Sequence, residues 1–133
     1  MQPMTSRENF NSGAPWEPIV GYSRAVRIGN IIEVSGTCAV DADGNPFGMG
    51  DPYLQTKRSL EIIANAIIQL GGSLNDVIRT RIYVTDISQW SEIGKAHGEV
   101  FGEIRPATTM VEVSSLISLE YLVEIEATAI LTS

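Results

Sequence analysis

The stretch Arg105-Pro106-Ala107-Thr108-Thr109-Met110-Val111-Glu112-Val113, followed a little later by Leu122-Val123-Glu124-Ile125-Glu126-Ala127, decides how this chain is read. Proline 106 disfavours a helical residue before it, and the β-branched run after it suits a pleated, half-buried surface. Residues 107–113 and 121–131 are therefore expected as strands. In the second, Val123, Ile125, Ala127 and Ala129 alternate with Glu124 and Glu126, so one side is apolar and the other carries carboxylates.

Working back from there, Trp90, Ile93, His97, Val100 and Phe101 recur at steps of three and four, which predicts a helix capped by Asp86 or Ser88. Residues 77–85 alternate as a strand, with Ile78, Thr80, Ile82 and Val84 on one side and Arg79, Arg81 and Tyr83 on the other. Asp51-Pro52 supplies an N-cap and a proline at the first helical position. Leu60, Ile63, Ala64, Ile67 and Leu70 then form the apolar stripe of a long helix, which Gly71-Gly72 ends through a left-handed C-cap. Residues 23–28 and 31–37 are short strands joined by Gly29-Asn30, a pair suited to a tight hairpin. Residues 1–21, with Pro3, Gly13, Pro15 and Pro18, read as an irregular lead-in.

The order ββαβαββ predicts one α+β domain, a mixed sheet with both helices on one face. Ile31, Val111 and Ile130 cannot all lie on the helix side of their strands. The other face is thus partly apolar and needs cover, either from the N-terminal segment or from further copies of the chain with their sheets turned inward.

A length of 133 residues suffices for one core, and 44% hydrophobic with 19% charged residues is ordinary for a globular domain. Nine Lys and Arg against sixteen Asp and Glu give a net charge of −7, which repels a polyanion and argues against a nucleic-acid partner. No apolar run approaches the roughly 20 residues needed to span a bilayer, so no membrane partner is expected. Residues 1–21 lack the basic start and apolar run of a signal peptide. Cys38 is the single cysteine, which excludes an internal disulfide and fits a reducing compartment; a cytoplasmic location is expected.

Six pieces fix a resemblance by their order and spacing: Gly21-Tyr22-Ser23-Arg24-Ala25-Val26; Val34-Ser35-Gly36; Leu70-Gly71-Gly72-Ser73-Leu74-Asn75-Asp76-Val77; Val84-Thr85-Asp86; Pro106-Ala107; and Val123-Glu124-Ile125-Glu126-Ala127. In these the chain resembles the RidA/YjgF family. The resemblance implies a chorismate-mutase-like fold, a homotrimer with small-molecule clefts between subunits, and no metal or organic cofactor. For the best-studied branch it implies hydrolysis of reactive enamines and imines, such as 2-aminoacrylate, to keto acids and ammonia. In that branch an arginine follows Pro-Ala and forks onto the substrate carboxylate. Here Thr108 holds that position, Met110 replaces the cysteine two residues further on, and Gly94 replaces the asparagine of the second helix. Tyr22, Ser35 and Glu124 match the family.

These matches make Glu124 the candidate catalytic residue, a carboxylate that holds a water for attack on an imine carbon and relays its proton. Its plain reading is a solvated or ion-paired strand face, which is also the reading for Glu126. Tyr22, Arg24, Ser35, Thr108, Met110 and His97 are the candidate substrate-binding residues. A threonine hydroxyl donates one hydrogen bond but does not neutralise a carboxylate, so the ligand is expected to be neutral or anchored elsewhere, with Arg24 the replacement anchor. Arg105 is offset by three residues, which puts it on the other face of an extended strand. His97 is either a packed histidine with one satisfied nitrogen or a base reaching a neighbouring subunit's Glu124; alone, it makes no familiar metal site. Cys38 is expected as a small buried residue without a base beside it.

The expectation is therefore a deaminase-like hydrolase for a small imine or enamine other than 2-aminoacrylate. A non-catalytic trimeric metabolite-binding module is the alternative. Cutting or binding RNA, described for some relatives, is disfavoured by the acidic total.

Overall fold

A computed structural model describes residues 6–132. Its elements run β1 (Arg7–Phe10), α1 (Trp16–Val20), β2 (Ala25–Ile28), β3 (Ile31–Thr37), α2 (Pro52–Gln69), β4 (Val77–Val84), α3 (Trp90–Phe101), β5 (Ala107–Glu112) and β6 (Val123–Ile130), with 3-10 turns at Leu74–Asp76 and Ile87–Gln89. The strands form one sheet in the order β1-β2-β3-β6-β4-β5. Among the described residues only β4 and β5 pair parallel, so the sheet is mixed and the class is α+β.

Local chemistry explains the boundaries. Asp51 accepts a hydrogen bond from the Leu54 amide at 3.0 Å and Pro52 opens α2. At the other end Gly71 takes φ 93°, a value that disfavours any side chain, and the Gly72 amide returns to the Ile67 carbonyl. The Arg27 guanidinium donates to the Leu70 carbonyl at 2.7 Å, a cation placed where the helix dipole is negative. The inward residues of the sheet, among them Ile32, Val34, Ile82, Val123 and Ile125, meet Ile63, Ile67, Ile93 and Phe101 of the two long helices in one core.

The structure corrects several expectations. The lead-in is not irregular where it is described, because Arg7–Phe10 pairs antiparallel with β2 and Trp16–Val20 makes a short helix. Four residues are too few for periodicity to reveal them, and it is the unpaired edge of β2 that makes a strand of them. Residues 1–5 of that lead-in lie outside the described residues. In β4 the pairing with β6 slips between Val77 and Arg79, and this bulge leaves Ile78 exposed while Val77 is buried. In α2 it is Ala66 rather than Ala64 that is buried, and Trp90 lies exposed at the start of α3, outside its apolar stripe.

The second face of the sheet is partly apolar, with Ile28, Ile31 and Val111 each more than two-fifths exposed. The N-terminal segment extends the sheet edge instead of covering them. Among the described residues no helix is long and apolar enough to cross a membrane.

Candidate functional site

The candidate residues fall into two clusters on opposite faces of the sheet. On the face away from the long helices, β3 carries one residue more than β6 between Val34 and Thr37, a bulge that re-aims Ser35 and Gly36. The half-buried Glu124 side chain lies across Gly36, where a β-carbon would sit 2.9 Å from its carboxyl carbon. Its Oε1 accepts from the Cys38 thiol at 3.5 Å. Cys38 is half-buried and does have a carboxylate beside it, contrary to the expectation from sequence. Burial first, and then the neighbouring Glu124, push the thiol well above its ordinary value, so it stays protonated and is no nucleophile.

Arg24 is buried, at 7% exposure. Its guanidinium donates to the Gly36 carbonyl at 2.6 Å, to Thr37 Oγ1 at 3.1 Å and to the Tyr22 hydroxyl at 3.2 Å, and faces Glu17 at 3.6 Å. It also covers the Tyr22 ring, 5.4 Å from the centroid. Glu17, 3% exposed, accepts from the Ser12 amide at 3.1 Å and from the Ser12 hydroxyl. One carboxylate thus ties the N-terminal segment to the arginine that supports the Gly36 bulge. Ser35 donates to the Ser23 carbonyl at 2.7 Å. Tyr22 and Ser35 line an open cleft of about 740 Å³, together with Asn9, Glu17 and Val26.

Thr108 and Met110 lie on the other face. They register with Thr80 and Ile82, whose side chains point into the helix layer. The Thr80 hydroxyl is 2.8 Å from Thr108 Oγ1 and 2.9 Å from His97 Nε2. The His97 ring packs on Phe101 with centroids 4.7 Å apart, and burial lowers its pKa from 6.5. Arg105 precedes β5 with φ 55°, held by its amide's bond to the Phe101 carbonyl, so strand alternation does not reach it. Glu126 is taken up by the Tyr83 hydroxyl at 2.8 Å and by Arg81 at 3.8 Å.

Within one chain, then, Tyr22, Arg24, Ser35 and Glu124 gather around the β3 bulge, whereas Thr108, Met110 and His97 gather at the β5 edge. Glu17 and Thr80 were not among the candidates from sequence, and Gly36 entered only within the Val34-Ser35-Gly36 match. Thr80 left a signal, a hydroxyl in the buried register of β4; Glu17 left none beyond following Pro15-Trp16. Among the described residues no group of three or more His, Cys, Asp or Glu side chains is placed to hold a metal ion.

Comparison with known proteins adds to this geometry. A family model described as endoribonuclease L-PSP matches residues 12–131. The crystal structure of a YjgF/YER057c/UK114 family member from Mycobacterium tuberculosis superposes with a TM-score of 0.87 at 49% identity, covering 95% of this chain and 100% of that one. An uncharacterized protein of Streptomyces coelicolor is 39% identical over 128 residues, 95% of each chain. The 3-aminoacrylate deaminase RutC of Acinetobacter baylyi is 34% identical over 112 residues, 84% of this chain and 88% of that protein.

Proposed function

The chain belongs to the endoribonuclease L-PSP family, the YjgF/RidA group, and from that premise we propose that it is a hydrolytic, deaminase-like enzyme for a small imine or enamine other than 2-aminoacrylate. The observation that carries this reading is the Glu124 carboxylate at the β3 bulge. It accepts a weak bond from a protonated thiol, and no cation pairs with it among the described residues. Such a carboxylate is free to take a proton from water.

The chemistry follows in balance. An enamine first tautomerises to its imine. Glu124 removes a proton from water as the water oxygen bonds to the carbon of the protonated imine, which gives a neutral carbinolamine. The carboxylic acid then returns that proton to nitrogen, the C–N bond breaks as ammonia leaves, and the hydroxyl proton passes to the Glu124 carboxylate and on to solvent, leaving the carbonyl product. The deaminase named among the relatives supports this reaction class. The substrate departs from 2-aminoacrylate because Thr108 brings no charge to meet a carboxylate, and most of the Arg24 donors are already engaged within the fold.

The chamber is closed by neighbouring copies. Ile28, Ile31 and Val111 leave the outer face partly apolar, and the two clusters of one chain lie back to back. A homotrimer places the β5 edge of one copy beside the β3 bulge of the next, so each cleft draws Glu124 and Thr108 from different subunits. The small-molecule ligand sits there.

The test is ammonia release from freshly generated imines, neutral and carboxylated, including 2-aminoacrylate and 3-aminoacrylate. Acceleration for a neutral imine, lost in Glu124→Gln with the trimer intact, is the expected result. Should no imine be turned over while the protein still binds small carbonyl compounds, the chain is a binding module instead.

A further inference from the structure

Thr80 is fully buried, on the same side of β4 as the core residues Ile82 and Val84. A buried hydroxyl without partners is costly, so its bonds are informative. It has two, Thr108 Oγ1 at 2.8 Å and His97 Nε2 at 2.9 Å. Thr108, exposed on the edge strand, adds a third link, donating to the Pro106 carbonyl at 3.2 Å. A continuous chain of hydrogen bonds therefore runs from the helix layer to the open edge of the sheet.

One direction of donation satisfies every link. His97 is packed against Phe101 and kept neutral by burial, so one ring nitrogen carries a proton. With that proton on Nε2, His97 donates to Thr80, Thr80 donates to Thr108, and Thr108 donates to Pro106. In the reverse direction Thr108 spends its only proton on Thr80, and the Pro106 link is lost. The Pro106 link is the longest of the three, and hence the cheapest to give up. A small rotation of the Thr108 hydroxyl transfers its hydrogen to an acceptor arriving at the edge, while the two inner bonds persist and polarise it.

We propose that the Thr108 hydroxyl is the donor through which the site takes the oxygen of an uncharged carbonyl, and that His97, acting through Thr80, is the positioning residue that keeps it a donor. The proposal rests on the cleft assigned above and names its ligand class: a chain of neutral groups stabilises a keto or amide oxygen, and leaves a desolvated carboxylate uncompensated.

Because the sequence holds one histidine, its ring nitrogens give a single pair of 15N signals. The expected spectrum of the full-length protein shows the Nε2–H tautomer. Thr108→Val and Thr80→Val each shift the Nε2 signal, whereas Thr80→Ser, which keeps the hydroxyl, restores it. Pyruvamide is expected to move the signal in the wild type and in Thr80→Ser but not in Thr80→Val, with pyruvate at least about tenfold weaker. An Nδ1–H tautomer, an unmoved signal in Thr108→Val, no response to either compound, or pyruvate binding as tightly as pyruvamide overturns the proposal. Ammonia release, followed in parallel, separates it from the hydrolase reading: absent turnover with the His97 responses intact removes the reaction and leaves the donor chain standing.

Discussion

The Glu124 carboxylate occupies the space in which a side chain on Gly36 would stand. The bulge on one strand makes room for a long acid from its neighbour, and a bulkier residue at 36 displaces that acid. The glycine carries no positive φ, so alanine meets no backbone strain there, and the atoms it meets are the mobile end of a flexible side chain. Gly36→Ala is expected to change stability by no more than about 1 kcal/mol while swinging the carboxylate away. If Glu124 is the base, ammonia release falls roughly a hundredfold in this variant, matching Glu124→Gln. Urea denaturation alongside the rate assay checks both halves.

Glu17 and Arg24 make a pair that is almost wholly buried, at 3% and 7% exposure. Removing the acid strands the guanidinium and also frees Ser12. Glu17→Ala is expected to cost about 3 kcal/mol, read as a lower urea midpoint with unchanged slope, whereas Glu17→Gln, which keeps an acceptor, costs less.

The Cys38 thiol is held protonated first by burial and then by Glu124, with Arg24 opposing. Alkylation by iodoacetamide near pH 8.5 is therefore expected to be more than about tenfold slower in the folded protein than in urea, since only the thiolate reacts. In Glu124→Gln the rate rises, because the neighbouring charge is gone. Mass spectrometry of timed samples measures it, and equal rates in the two folded proteins contradict the contact.

His97 links stability to pH. In the unfolded chain the imidazole titrates at its ordinary 6.5, and burial lowers that value in the fold. As pH falls through 6.5 the unfolded state takes up a proton that the folded state refuses, so stability is lost from there down to the folded-state value, and is fully present above. The stability difference between wild type and His97→Gln is expected to be flat above pH 7 and to shrink below 6.5. Thermal melts of both proteins across pH 5 to 8 reveal it.

Legibility in the sequence followed the range of the interactions. The long helix announces itself because the Asp51 cap, Pro52, the Leu60-Ile63-Ile67-Leu70 stripe and Gly71 all act within a few residues of one another. The strands at Ile31–Thr37 and Val123–Ile130 were legible for the same reason, the first from a β-branched run after the Gly29-Asn30 turn and the second from alternation along a single run. The Arg7–Phe10 strand was not, since its conformation comes from the edge of β2 and not from its own four residues.

Periodicity, caps and turns are local and each pattern matches only one type of element, so the α+β character and most of the element order were readable along the chain. The resemblance singled out Glu124 and Thr108 as candidates. Where their side chains go is set by contacts between distant strands. The extra residue at Ser35-Gly36 and the one at Val77-Ile78 exist only in the pairing of distant strands, and a slip of one residue moves a side chain from one face of a sheet to the other. That is why Thr108 meets Thr80, itself bonded to His97, on the helix side, Glu124 meets Cys38 on the other face, and Arg24 is spent on Glu17 and Gly36 inside the fold.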